Sequence, residues 1–197
     1  MEFCRKNGIK RVMNFSSSRV LSPERNPYVA SKLYGEELVK AYHDCYGIEF
    51  ITVRPSTVFG PTHDITSRLI TTWIQDAMQG KTLRIFGDRQ KTLDFTYVDD
   101  FVDGIELLTD RWDVAKNEAY NISGHEEVAL KDLAKIIGEE VGKRVRVRYE
   151  KQETAQPQRV SVDISKMQAL GYNPKVGIRE GVRRMVKFYN DYQEDTA

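Results

Sequence analysis

The feature that most restricts the fold is an alternation of apolar runs with helix-period segments, which starts close to the first residue. Residues 12–15, in KRVMNFSSS, read as a short buried strand ending in a serine cluster. A helix is expected from Pro27, because proline suits a first helical turn; Val29, Leu33, Leu38, Ala41 and Tyr42 recur at helical spacing, and Gly47 stops it. Residues 48–55 (IEFITVRP) form a near-continuous apolar run of the kind that a parallel sheet buries on both faces. Strand, helix, strand is a βαβ unit.

The alternation continues along the chain. A loop is expected at 59–64, helices at 67–79, 99–109, 130–141, 165–170 and 178–192, and extended segments at 82–86, 94–98, 120–122 and 145–149. This pattern predicts an α/β fold with a parallel sheet. A change of character near residue 60 divides the chain into a sheet-forming part, 1–60, and a C-terminal part, 61–197, that is mainly a lobe resting on the strand ends where open α/β sheets bind ligands, with returning sheet elements.

Charge and cysteine usage narrow the partners. Thirty Lys+Arg against 29 Asp+Glu leave a net charge of +1, so no single-signed field favours nucleic acid or an anionic membrane. With 40% hydrophobic and 30% charged residues, a chain of 197 residues builds a sizeable core and falls outside the disordered and collagen-like classes. Cys4 and Cys45 belong to no CxxC or Cys/His cluster, so neither a disulfide framework nor a metal site is expected. No apolar run approaches the roughly 20 residues that cross a bilayer, and MEFCRKNG lacks the apolar middle of a signal peptide. A cytoplasmic protein with a small-molecule ligand is the expectation. His43, His63 and His125 are isolated and read as surface or structural, Trp73 and Trp112 as packing, and KRVRVR (143–148) as an exposed strand face.

One pair of residues carries chemistry. Of ten tyrosines only Tyr28 has a lysine four positions later, Lys32, which puts both side chains on one helix face about a turn apart. An ammonium beside a phenol favours the phenolate, which would serve as a general base near neutral pH. A solvated helix face explains the same spacing. Ser16, Ser17 and Ser18 follow the first strand, whose end the Tyr28 helix flanks, so a serine hydroxyl is placed to hold a substrate oxygen; serines at such positions also satisfy backbone groups in turns.

Taken in order, the serine cluster with Arg19-Val20, Tyr28-x-x-x-Lys32, Val53-Arg54-Pro55-Ser56-Thr57-Val58-Phe59-Gly60-Pro61, Gly87-Asp88, Asp94-Phe95-Thr96-Tyr97-Val98-Asp99-Asp100, Tyr120-Asn121-Ile122-Ser123-Gly124 and Asp163-Ile164-Ser165-Lys166 with Leu170-Gly171-Tyr172-Asn173-Pro174 span nearly the whole chain. This series resembles the extended short-chain dehydrogenase/reductase family, the group of NAD-dependent nucleotide-sugar epimerases, 4,6-dehydratases and decarboxylases. The resemblance implies the C-terminal strands of a Rossmann-like sheet with a small α/β substrate-binding lobe. It also implies that Ser17, Tyr28 and Lys32 are catalytic, with Tyr28 and Lys32 also meeting the cofactor, NAD or NADP. Pro55, Ser56 and Val58 would line the nicotinamide, and Ser18, Thr57, Phe86 and Arg159 the sugar or nucleotide sugar. A homodimer through the helix carrying Tyr28 is implied as well.

Three departures qualify that expectation. The thirteen glycines never fall in the G-x-x-G-x-x-G or G-x-G-x-x-G spacing that cradles a cofactor pyrophosphate, and the resemblance begins just before the family's fifth strand. A truncated gene, or a separate chain that completes the N-terminal half, is the implied explanation, with a non-catalytic remnant as the alternative. Thr57 and Leu93 stand where nucleotide-sugar enzymes of the family usually place Asn and a diphosphate-pairing Arg, leaving Arg159 and Lys91 as substitutes. Ser18-Arg19 replaces the dehydratases' Asp-Glu, and Arg19 the decarboxylases' Glu, so a sugar 4-epimerase working by reversible hydride transfer is the favoured activity.

Overall fold

The computed structural model describes residues 1–62, 68–124, 127–152, 154–157, 159 and 161–195. Its elements are α1 (Glu2–Lys6), β1 (Arg11–Phe15), a 3-10 turn (Ser18–Leu21), α2 (Pro27–Tyr46), β2 (Glu49–Pro55), β3 (Thr57–Phe59), α3 (Leu69–Met78), β4 (Leu83–Phe86), β5 (Thr92–Tyr97), α4 (Val98–Asp110), α5 (Trp112–Ala115), β6 (Glu118–Ile122), β7 (Glu127–Ala129), α6 (Leu130–Val141), β8 (Val147–Glu150), α7 (Ser165–Ala169) and α8 (Ile178–Asp195). The expected βαβ unit is β1–α2–β2. Helix α2 starts where Asn26 accepts the Val29 N–H at 2.9 Å with Pro27 beside it, and stops where Gly47 takes φ +66°.

The strands form three ladders. In the first, β1, β2 and β6 lie side by side and parallel, with Val53 opposite both Phe15 and Tyr120. In the second, β3 pairs in parallel with β5, and β7 runs antiparallel to β5; in the third, β4 and β8 are parallel. The parallel sheet that the pattern predicted is present in the first and third ladders, and the second is made mixed by β7. A three-residue strand such as β7 is too short to carry an alternation signal of its own.

Two apolar clusters form. One gathers Ile51, Val53, Leu108, Trp112, Tyr120, Ile122, Met167 and Tyr172 around the first ladder. The other sets Trp73, Ile74, Ile85, Phe95, Leu133, Ile137 and Met185 among α3, α6, α8 and β5, and includes Phe59. Trp73 and Trp112 are thus packing residues, Trp112 also donating its indole N–H to Glu49 Oε2 at 2.9 Å. His43 shares a hydrogen bond with the Ile48 carbonyl and meets Phe50 edge-on. His63, His125 and Ser67 lie outside the described residues. Strand β1, expected to be buried, contains no fully buried residue, because among the described residues it pairs on one side only and α2 covers part of one face.

Helix α2 is held to the strand ends by charge rather than by an apolar stripe. Its buried residues are Val29, Glu36 and Val39. The Glu36 carboxylate accepts the Ser16 hydroxyl at 2.5 Å and the two-pronged Arg54 guanidinium at 2.8 and 2.5 Å. Burial pushes the Glu36 carboxyl up, but the Arg54 and Ser16 hydrogen bonds outweigh it and hold the group below its ordinary value of 4.5. The stabilisation is therefore present above pH 4.5 and drains away as acid is added below it. Glu36→Ala leaves a half-buried guanidinium without its counter-charge. It is expected to lower unfolding free energy by about 3 kcal/mol in urea titrations at pH 7, with a smaller difference from wild type at pH 3.5.

Candidate active site

The face of α2 that carries Glu36 also carries Lys32 and Tyr28, at successive four-residue steps. Lys32 Nζ donates to the Phe15 carbonyl at the end of β1, 2.9 Å away, and lies 5.7 Å from the Tyr28 ring centroid. An ammonium over an aromatic face is held electrostatically, so the ring and the strand end fix it from two sides. Tyr28 itself is half-exposed.

Ser17 caps the 3-10 turn: its Oγ accepts the Arg19 N–H at 3.2 Å. That bond uses an oxygen lone pair and leaves the hydroxyl hydrogen to donate elsewhere. The structural and chemical readings of the serine cluster are therefore compatible. Ser16 points away, onto Glu36.

A cleft of about 270 Å³ brings Ser17, Ser18, Tyr28, Ser56 and Thr57 together. Ser56 is fixed by its N–H on the Ile122 carbonyl and by a 2.6 Å hydroxyl contact with Thr96. Lys91, Leu93 and Asp94 line the cleft from β5 and the turn before it, and Arg19 and Gln156 from the 3-10 turn and the segment after β8. Lys91 is buried and donates to the Phe86 carbonyl at 2.7 Å.

Other expected residues stand elsewhere. Pro55 ends β2 outside the lining, and Val58 lines a neighbouring cavity with Phe59, Gly60 and Val98. Phe86 ends β4, with the Arg84 guanidinium 5.9 Å from its ring centroid. Arg159 is exposed and spends its fork on Glu127, at 2.7 to 2.9 Å, beside a separate recess at Leu21 and Ser22. Of the two cations expected to substitute at the diphosphate, only Lys91 lines the cleft.

Sequence reasoning missed Asp94 as a cleft residue and Gln156 altogether. Asp94 lies within a quoted motif, but its burial is a tertiary property. One of its carboxylate oxygens is buried without a partner, while the backbone N–H of Val162 bonds the group. Burial and the nearby Glu127 charge push the Asp94 carboxyl from 3.8 up to about 6.

The sequence model of the NAD dependent epimerase/dehydratase family matches residues 1–123. The chain belongs to that family. Among curated family members, one from Methanocaldococcus jannaschii with a provisional UDP-glucose 4-epimerase name is 32% identical over 204 residues, covering 95% of this chain and 66% of its own length. dTDP-glucose 4,6-dehydratase 1 of Escherichia coli is 30% identical over 192 residues, covering 93% and 52%. The chain thus spans two thirds or less of these relatives. Among solved family structures, UDP-glucuronic acid 4-epimerase from Bacillus cereus in complex with UDP-glucuronic acid and NAD superposes with a TM-score of 0.89 at 26% identity, over 97% of this chain and 65% of that one. A dTDP-glucose 4,6-dehydratase from Streptomyces venezuelae with NAD bound gives 0.88 at 25%, over 98% and 64%. Rossmann-like neighbours and parallel ladders confirm the α/β class.

The donor set fits one end of the family's cofactor. An ammonium, a phenol and serine and threonine hydroxyls cluster at the C-terminal ends of β1 and β2, a set suited to a nicotinamide and its ribose. Residues suited to cradle the pyrophosphate are not among those described. No helix among the described residues is long and apolar enough to cross a membrane.

Asp94 offers a pH test. Because its folded value lies above the unfolded one, the native state holds the extra proton between about pH 4 and 6, and ionising it above that range costs stability. Asp94→Asn is expected to gain on wild type as pH rises from 4 to 7, by roughly 1–3 kcal/mol in parallel urea titrations.

Proposed function

We propose that the chain carries the proton-transfer and sugar-binding machinery of an NAD-dependent nucleotide-sugar epimerase, most like a sugar 4-epimerase. The observation that supports this reading is the junction at the end of β1. There Lys32 is held between the Phe15 carbonyl and the Tyr28 ring, and Tyr28 opens with Ser17 onto one polar cleft. The relatives named as 4-epimerases agree with it.

In this reading the Tyr28 phenol oxygen takes the proton from a sugar hydroxyl. The Ser17 hydroxyl donates to that same sugar oxygen and keeps it in line. The Lys32 cation stabilises the phenolate form of Tyr28 before it takes the proton, and the neutral phenol then hands the proton back to the sugar oxygen, which regenerates the phenolate. NAD, when bound, would supply the hydride acceptor and donor for this chemistry. Ser56 borders the nicotinamide, and Ser18 and Thr57 hold the sugar. Residues 1–60 supply β1, β2 and the helix α2 that carries the base, and the later part of the chain adds β6 to that ladder and lines the cleft from the other side. A homodimer through the exposed side of α2, which presents Tyr34 and Tyr46, completes the proposal.

The alternative is a module that binds no NAD unless another polypeptide supplies a glycine-rich turn; it rests on the glycine spacing. Calorimetric titration with NAD separates the two. Micromolar binding that Lys32→Ala abolishes supports an assembled site, whereas no heat at millimolar NAD supports the module. In the first case Tyr28→Phe is expected to lower epimerase turnover on a nucleotide sugar by about 10²- to 10⁴-fold, with an unaltered circular dichroism spectrum. Turnover within a factor of two of wild type would sink the assignment of Tyr28 as the base.

A further inference from the structure

Arg19 is a guanidinium in the cleft that forms no salt bridge among the described residues. It follows Ser17 and Ser18 directly and lines the same space as Tyr28. Its Nη1 donates to Gln156 Oε1 at 2.7 Å and its Nη2 to the Ala155 carbonyl at 3.3 Å, both neutral acceptors. The Nε is buried and has no partner. No carboxylate among the described residues forms a salt bridge with it. Glu24 feels its charge while bonded to the Ser22 hydroxyl, and the charges acting on Asp94 are those of Glu127 and Arg159. Arg54 shows the contrast: also half-buried, it is met by both oxygens of Glu36.

A half-buried cation held in place by neutral oxygens, with a donor left over, is costly unless a ligand completes it. Gln156 and Ala155 fix the orientation of the fork, and a planar fork so placed matches a planar oxyanion. Arg19 stands two residues from Ser17, so the anion it meets is carried close to the reacting carbon rather than on a distant part of the ligand. Leu93, across the same cleft, offers no charge there.

We infer that Arg19 is a specificity-determining residue that receives a carboxylate borne by the sugar ring, so that the substrate class is a nucleotide-linked uronic acid rather than a neutral hexose. This rests on the nucleotide-sugar reading above. A phosphate offers the same oxyanion chemistry, and the test distinguishes the two.

Calorimetric titrations of the whole chain with UDP-glucuronic acid, UDP-glucose and UDP, for wild type, Arg19→Gln and Arg19→Lys, decide it. Wild type is expected to prefer UDP-glucuronic acid over UDP-glucose by about ten- to a hundredfold. Arg19→Gln is expected to reduce that ratio to within a factor of about three, and Arg19→Lys, which keeps the charge but not the fork, to an intermediate value. If Arg19→Gln fails to melt cooperatively, the loss of ratio in Arg19→Lys carries the test. Equal affinity of wild type for both sugars, or an unaltered ratio in the variants, overturns the assignment while the nucleotide-sugar reading stands. Weakening of UDP by the same factor as UDP-glucuronic acid also overturns it, placing the fork on phosphate. If wild type binds none of the three, the nucleotide-sugar reading falls together with it.

Discussion

The Glu36 carboxylate is the point from which the rest of the cleft is set. It draws the end of β1 through Ser16 and the end of β2 through Arg54, so one helix is registered against two parallel strands by three charge-assisted bonds. Four residues earlier on the same face Lys32 reaches the carbonyl next to Ser16, and four earlier again Tyr28 clears the strand end and meets the cleft. Each step of four residues advances about 6 Å along the helix. The phenol is therefore placed by attachments one and two turns away, which leaves its own hydroxyl uncommitted.

This arrangement explains why the apolar pattern of α2 was an incomplete guide. Leu33, Leu38, Ala41 and Tyr42 sit at helical spacing, yet none of them is fully buried, and the residue that anchors the helix is an acid. The helix was legible because its ends are marked, by Asn26 and Pro27 at one and by Gly47 at the other. Strands β2 and β6 were legible from their apolar runs. The 3-10 turn, β3, α5 and β7 span three or four residues each, too few for a period, and their form is set by neighbours rather than by their own sequence.

The site divides in the same way. Tyr28 and Lys32 are a local relation, four residues on one helix, and Ser17 follows from a strand that ends where that helix passes; these were readable in the chain. Gln156 meets Arg19 across 137 positions, and Asp94 owes its raised titration to burial and to Glu127, 33 positions away in sequence, on the antiparallel neighbour β7. No local pattern carries such information. Arg159 was expected at the ligand because of its charge, but Glu127 stands beside it and takes the fork. Charge alone does not place an arginine; the carboxylate within its reach does.

The cleft's charges can then be compared side by side. On the β5 side, Leu93 occupies the position at which the resemblance expects a diphosphate-binding arginine, and Lys91 is committed to the Phe86 carbonyl. On the opposite side, next to the serines, Arg19 stands where the resemblance expects an acid in dehydratases and decarboxylases, and its side-chain hydrogen bonds among the described residues go to neutral oxygens. Relative to the pattern of the resemblance, a guanidinium is lost at Leu93 and one is present at Arg19, next to the serines. A cation there stabilises negative charge near the reacting carbon and disfavours any step that needs a carboxylic acid at that place. Hydride transfer with a phenol base needs no such acid, so the Ser18-Arg19 pair is compatible with the proposed epimerisation and not with acid-assisted dehydration.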